Sequence, residues 1–186
     1  MGWRDDSIDL SDPAAFERVF RAHGERLRLF CFRRLGSWEA AEDAVAATFL
    51  QAWRHRKRVH LTQRSAGRWL ITVALNESRG AYRRTRRLQA AEERAADPPV
   101  VPDHSSSVAD RIDDERRMQS VLEAVRQLRV EEQDVLALVV FAELSYEDAA
   151  AALEVPVGTV RSRLSRARQH LADLESHGET QPEGVA

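Results

Sequence analysis

The sequence has a single cysteine and no long apolar segment. Cys31 alone can form neither an internal disulfide nor a cysteine-based zinc site, and its apolar neighbours predict a buried thiol. No stretch approaches the roughly 20 apolar residues of a membrane span. The acidic start MGWRDDSIDL lacks the apolar centre of a signal peptide. We therefore predict a soluble cytoplasmic protein with no membrane insertion.

Motifs for catalysis and for cofactor binding are also missing. The six histidines are scattered, and none stands four residues from another, as two metal ligands on one helix face would. The chain has no HExxH motif, no phosphate-binding Walker loop and no glycine pattern typical of dinucleotide binding. Its carboxylates lie on the polar faces of predicted helices, where a solvated role is usual. The sequence predicts no enzyme, no metal and no cofactor.

Charge is abundant but unevenly distributed. The formal net charge is −2, and of the 28 basic residues only Lys57 is a lysine. From Arg54 to Arg94 twelve basic residues stand against three acidic ones, whereas from Glu92 to Glu115 eight acidic residues stand against two basic ones. A local basic surface is enough for nucleic-acid binding, so the negative total is no objection to it.

Apolar residues recur at spacings of three and four, and strand-like alternation is missing. We predict an all-α protein with two small helical domains joined by a flexible linker, which three prolines and three consecutive serines in AADPPVVPDHSSSVAD indicate. The expected first domain is 10–94, the linker 95–111, the second domain 112–175 and a disordered tail 176–186. Gly80, inside the third predicted helix, indicates a break or a close backbone approach there.

Two helices near the C-terminus, Ser145–Leu153 and about Pro156–Leu174, are separated by a tight turn. Ser145 with Asp148 three residues later is typical of a helix start. The small side chains of Ala149, Ala150 and Ala152 keep the first helix thin, so that the second can cross it closely. A short turn between two helices that cross at small residues is typical of a helix-turn-helix.

The second of these helices has two distinct faces. One is an apolar stripe of Val160, Leu164, Ala167 and Leu171, which we expect to be buried. The other could read DNA, because arginine bonds bidentately to guanine and a helix N-terminus favours phosphate. The alternative is an amphipathic helix that only packs on a neighbour. The candidates for base contacts are Arg163 and Arg166, and those for phosphate contacts are Arg161 and Arg168. Thr159 and Ser162, on the same face as the first pair, could contact a base or a phosphate.

The third predicted helix, about Arg68–Arg87, offers a second nucleic-acid surface. Its arginines are interleaved with Trp69 and Tyr82. This combination suits single-stranded DNA, whose bases stack on aromatic rings while its backbone follows a positive groove. The alternative is a solvated basic helix with its aromatic side chains in the core.

With both surfaces on one chain in this order, the sequence resembles the bacterial RNA polymerase sigma factors of the extracytoplasmic-function (ECF) type, within the sigma-70 family. AAEDAVAATFLQAW at 40–53 resembles the family's region 2 helix, and RWLITVALNESRGAYRR at 68–84 the helix that meets the −10 promoter element. LSYEDAAAALEVPVGTVRSRLSRAR at 144–168 resembles the region 4 helix-turn-helix that reads the −35 element.

The resemblance implies a dissociable subunit that gives core RNA polymerase its promoter specificity and starts transcription. Its implied partners are promoter DNA, the clamp helices of the largest polymerase subunit, the flap of the second largest, and an anti-sigma factor. The loop 56–67 would accept a flipped base. The implied core-binding residues are Asp43, Ala46, Ala47, Leu50 and Trp53, and the implied −10 contacts are Arg64, Ser65, Arg68, Trp69, Asn76, Arg79 and Arg83.

Three features depart from the family pattern: Ala46-Ala47 replace a usual Gln-Glu, Gly80 replaces an acidic residue, and LRVEEQDVL lacks a usual proline and basic residue. A second hypothesis is a conventional helix-turn-helix regulator that binds duplex DNA as a dimer. A third is a sigma-like decoy that binds polymerase without initiating.

Overall fold

The computed structural model describes the backbone of residues 7–92 and 106–178, and within these ranges the side chains of residues 7–80, 110–174 and 176. Helices make up nearly all of this backbone. In chain order the elements are β1 (Ser7–Ile8), α1 (Pro13–Leu35), α2 (Trp38–His55), β2 (Leu61–Thr62), α3 (Gln63–Glu92), α4 (Ser106–Arg126), α5 (Val130–Leu136), a π-helical turn (Ala137–Phe141), α6 (Tyr146–Leu153) and α7 (Val157–Gly178).

The chain divides into two compact units, Met1–Met118 and Gln119–Ala186. The predicted all-α, two-domain class is confirmed. Helix α4 begins at Ser106, so residues 106–111, which we expected in the linker, are helical. Residues 95–105 of the expected linker and 179–186 of the expected tail lie outside the described residues.

The early start of α4 has a physical cause in contacts with the start of α2. Arg111 pairs with Glu42 at 2.7 Å, and Glu115 Oε1 accepts a hydrogen bond from the Trp38 backbone N–H at 2.7 Å. Trp38 is the first residue of α2, where backbone N–H groups have no partner inside the helix. The first turns of α4 therefore belong to the first unit, which the sequence pattern did not indicate.

Capping residues fix the junction between α1 and α2. Asp12 accepts hydrogen bonds from the first N–H groups of α1, and Gly36 ends the helix in the left-handed region at φ 71°. Ser37 Oγ then accepts from the Ala40 N–H, so α2 starts at once. Helices α1, α2 and α3 bury a common core that includes Leu27, Phe30, Cys31, Phe49, Leu70, Ile71 and Leu75.

A short strand pair, which the sequence did not predict, lies beside these helices. Strands β1 and β2 pair antiparallel, with Ser7 opposite Thr62 and Ile8 opposite Leu61. Two residues per strand are too few to produce a recognisable alternation. The pair nevertheless fixes the chain immediately before α3.

Helix α3 begins inside the stretch that we expected to be a loop, 56–67. The Ser65 N–H donates to Thr62 Oγ1 at 3.2 Å, and the Thr62 N–H donates to Ser65 Oγ at 2.8 Å. This reciprocal exchange is the geometry of a capping box, with serine in the place of the usual glutamate. Arg64 and Ser65 are therefore helical, and the connection between α2 and β2 is limited to residues 56–60.

The second unit contains the predicted helix-turn-helix. The Ala142 N–H donates to the Ala137 carbonyl at 2.9 Å, five residues back, so the helix that begins as α5 widens into the π-helical turn. Ser145 Oγ accepts from the Asp148 N–H at 3.0 Å and starts α6. Glu154, at φ 55°, ends α6 in the left-handed region and opens the turn into α7.

Buried small residues let α6 and α7 pack closely. Ala149 and Ala150 of α6 are buried. The predicted stripe of α7 is confirmed at Val160, Leu164 and Ala167, which are all buried. Its fourth member, Leu171, is only half-buried, so the prediction of burial is wrong there.

Gly80 does not interrupt α3. The helix is continuous from Gln63 to Glu92, and within the described part of the chain no atom outside the local helix backbone lies within 4 Å of a Cβ added at Gly80. The prediction of a break or a close backbone approach is therefore wrong, and the glycine stands in open space.

Candidate nucleic-acid interface

The polar face of α7 is accessible along the helix. The buried stripe fixes the rotation of α7, so residues away from the stripe face outward. Arg161, Ser162, Arg166 and Arg168 are exposed, and Thr159 and Arg163 are half-buried.

Local hydrogen bonds order part of this face. The Ser162 hydroxyl donates to the Thr159 carbonyl at 3.0 Å, and Arg166 Nε donates to the Ser162 carbonyl at 3.3 Å. The Arg161 guanidinium lies 5.8 Å from the centre of the Tyr146 ring, within cation–π range. Ser162 keeps its acceptor capacity in this arrangement, since its hydroxyl uses its only proton on the helix backbone.

A carboxylate from α5 reaches the polar side of α7. The Glu132 side chain is only 3% exposed, with Oε2 3.4 Å from His170 Nδ1 and Oε1 4.0 Å from Arg166 Nε. Oε2 also accepts a hydrogen bond from the Arg129 backbone N–H at 3.2 Å. The prediction that the carboxylates lie on solvated helix faces is therefore wrong at Glu132.

Helix α3 is likewise divided between a buried and an accessible face. Its buried side contains Leu70, Ile71, Ala74, Leu75 and Ser78. Arg79 Nη1 donates to Asn76 Oδ1 at 2.9 Å, so these two candidates form a local pair. The Arg83 side chain lies outside the described residues. Of the other candidates, Arg64, Arg68 and Asn76 are exposed, while Ser65, Trp69 and Arg79 are half-buried.

The exposed side of α2 adjoins aromatic residues of α1. Phe20 and Leu50 are each 48% exposed, and Trp53 is 37% exposed. Trp53 packs edge-on against Phe16 with ring centres 5.3 Å apart. We call Phe16, Phe20, Leu50 and Trp53 the aromatic patch. Of the remaining α2 candidates, Asp43 and Ala46 are exposed and Ala47 is half-buried.

The sequence reasoning did not assign Phe20 to a surface. Its spacing from Phe16 and Val19 is typical of a buried helix stripe.

The described residues contain no group arranged for metal binding, and their one cysteine is buried. No three His, Cys, Asp or Glu side chains among them could hold a metal ion. Burial raises the pKa of the Cys31 thiol to about 12, against a smaller opposing effect of Arg34, so the thiol stays protonated. Among the described helices none has the length and apolar character needed to cross a membrane.

Comparison with known proteins identifies the two units. The family profile for sigma-70 region 2 matches residues 19–88, and that for sigma-70 region 4 matches residues 118–171. The RNA polymerase sigma factor HrpL of Pseudomonas syringae pv. syringae is 31% identical over 170 residues, which cover 88% of this chain and 92% of HrpL. The ECF RNA polymerase sigma factor SigL of Mycobacterium tuberculosis is 30% identical over 159 residues, covering 83% and 85%.

Solved structures share the fold. CnrH, in complex with the cytosolic domain of CnrY, has a TM-score of 0.66 at 22% identity, covering 91% of this chain and 93% of CnrH. The sigma factor RpoE of Bartonella quintana, in complex with the anti-sigma factor NepR, has a TM-score of 0.60 at 25% identity, covering 87% and 96%. The alternative of a conventional regulator is not favoured. The chain belongs to the sigma-70 family of RNA polymerase sigma factors, and within it to the ECF type.

Proposed function

We propose that this sigma factor reads the −35 element with α7. The observation that carries the proposal is the separation of the two faces of α7, with Val160, Leu164 and Ala167 buried on one face and an accessible polar surface on the other. Arginine can bond to both acceptors of guanine in the major groove, and serine and threonine can bond to a base or a phosphate. Bases are contacted by Thr159, Ser162, Arg163 and Arg166, and phosphates by Arg161 and Arg168.

The second DNA surface is α3, which meets the melted −10 element. Trp69 is half-buried and therefore anchored on one side and accessible on the other, as a base-stacking residue must be. Positive side chains on the same helix neutralise the DNA backbone. The contacts come from Arg64, Ser65, Arg68, Trp69, Asn76, Arg79 and Arg83.

Core RNA polymerase binds the exposed side of α2. An exposed apolar patch bordered by charged residues is typical of a protein interface, and the aromatic patch has this character. Asp43, Ala46, Ala47, Leu50 and Trp53 contact the clamp helices of the largest subunit, and Phe20 extends this surface onto α1. The second unit contacts the flap of the second largest subunit.

A further partner and the cellular location follow from the assignment to the sigma factors. RpoE was solved with the anti-sigma factor NepR, and we propose an anti-sigma factor as a partner of this chain too. The protein acts in the cytoplasm, where its polymerase is. It requires no catalytic residue of its own, because the polymerase performs the chemistry.

The test is run-off transcription with core polymerase and a library of genomic promoters. We expect discrete transcripts that start downstream of a two-part element and depend on the added chain. Failure to associate stably with core polymerase would contradict the proposal. Association without initiation would identify a decoy, and tight binding to duplex DNA without polymerase would identify a conventional regulator.

A further inference from the structure

Glu132 is a buried carboxylate that faces α7. It is the third residue of α5, and its side chain is 3% exposed. A carboxylate is buried only at a large desolvation cost unless charged or hydrogen-bonding partners surround it. Near the start of a helix a carboxylate can cap the backbone while exposed to water, so capping alone does not require this burial.

Two partners of Glu132 lie on α7, one turn apart. Oε2 faces His170 Nδ1 at 3.4 Å, and Oε1 faces Arg166 Nε at 4.0 Å. The remaining contact is the Arg129 backbone N–H at 3.2 Å. The Glu132 side chain therefore contacts two side chains of α7 from the first turn of α5. The apolar stripe of α7 packs separately in the core of the second unit.

Arg166 is held at one end of its guanidinium. Its Nε–H donates to the Ser162 carbonyl at 3.3 Å, and Glu132 Oε1 lies 4.0 Å from the same Nε. The Arg166 side chain is nevertheless 53% exposed. The guanidinium carries four further N–H donors. An arginine restrained in this way loses less side-chain entropy when it binds DNA than an unrestrained one.

We propose that Glu132 is a positioning residue for promoter recognition, which orients Arg166 on the face of α7 that reads the −35 element. Glu132 itself does not touch DNA. This inference rests on the proposed function of α7 and adds a residue from outside the helix-turn-helix to it.

The test uses holoenzyme and a promoter obtained from the run-off screen, compared with the same promoter carrying a scrambled −35 element. Glu132→Gln keeps an acceptor for the Arg129 N–H but removes the charge. We expect it to reduce the preference for the intact −35 element roughly three- to tenfold, the cost of ordering one long side chain. The matched control is Glu131→Gln, an exposed acid one residue earlier, which should change nothing.

A double-mutant cycle separates positioning from general support of the fold. If Glu132 acts through Arg166, adding Glu132→Gln to Arg166→Ala causes no further loss of −35 preference. Fully additive losses would overturn the proposal. Equal losses on both templates would overturn it as well, because they indicate a purely structural role.

A measurement on a second variant covers the case in which Glu132→Gln does not fold. The Nε–H signal of Arg166, assigned by its disappearance in Arg166→Lys, should exchange with water faster in Glu132→Asp, whose shorter side chain draws the carboxylate away from Arg166 Nε, than in the unmodified chain. Equal exchange rates would overturn the proposal. This readout needs neither polymerase nor promoter, so it is independent of any failure of the proposed function.

Discussion

Helices α3 and α7 both bury one apolar face and carry arginines on another, but they hold their polar side chains differently. On α3 the ordered pair is internal to the helix, Arg79 with Asn76, and a half-buried tryptophan lies on the same helix. On α7 no Phe, Trp or Tyr is present, and beside the hydrogen bonds within the helix a buried carboxylate from another helix, Glu132, lies 4.0 Å from Arg166 Nε.

This difference between α3 and α7 matches what single-stranded and duplex DNA require of a binding surface. Single-stranded DNA is bound mainly by stacking and charge, which tolerate variable geometry, so an aromatic anchor among arginines is sufficient. Base edges in a duplex groove demand a defined position for each donor. A helix that reads them benefits from a fixed rotation and from side chains oriented in advance.

The largest expected effects come from removing the buried leucines that anchor each helix. Leu164→Ala in α7 and Leu75→Ala in α3 should each destabilise their own unit by about 2–5 kcal/mol, through lost burial and the cavity left behind. Residue-resolved hydrogen exchange measures this, and we expect faster exchange confined to the mutated unit. Exposed Leu50→Ala serves as the control. Exchange that rises equally in both units would contradict the division into separate cores.

A smaller effect is expected from the face of α7 that we propose reads DNA. Arg163→Ala should weaken −35 recognition by about 1–3 kcal/mol, the value of one bidentate base contact. Holoenzyme binding to duplex promoter, compared with a template whose −10 region is already open, measures it. Matched losses on the two templates would mean that Arg163 supports folding and not readout.

The smallest effect is expected at Gly80. Because α3 is continuous there and a Cβ would meet no neighbour among the described residues, Gly80→Ala should stabilise the first unit by up to about 1 kcal/mol. Thermal unfolding measures it, with Gly24→Ala in α1, which is equally open, as the matched variant. A loss of stability would show that the space at Gly80 is needed.

Local signals predicted much of the fold. Ser145 gave the start of α6 within one residue, because a cap acts on the adjacent backbone. The stripe of α7 was predicted from its spacing and is confirmed at Val160, Leu164 and Ala167.

What the sequence could not predict depends on contacts distant along the chain. The start of α4 depends on Glu115 meeting Trp38, and β2 on a strand more than fifty residues earlier. Glu132 is one of 30 acidic residues, and only the fold distinguishes it by burying it against α7. The DNA and polymerase contacts assigned to single residues stay predictions.

If α3 and α7 read different forms of promoter DNA, a binding measurement with two variants and two templates separates their roles. Holoenzymes carrying Trp69→Leu or Arg163→Ala are bound to an intact −35 duplex promoter and to a template with an open −10 bubble but no −35 element. We predict that Arg163→Ala weakens binding only to the first. Trp69→Leu should weaken binding to the bubble by about 1–3 kcal/mol, the value of one stacked base. Equal losses for both variants on both templates would show that the two helices do not bind different forms of promoter DNA.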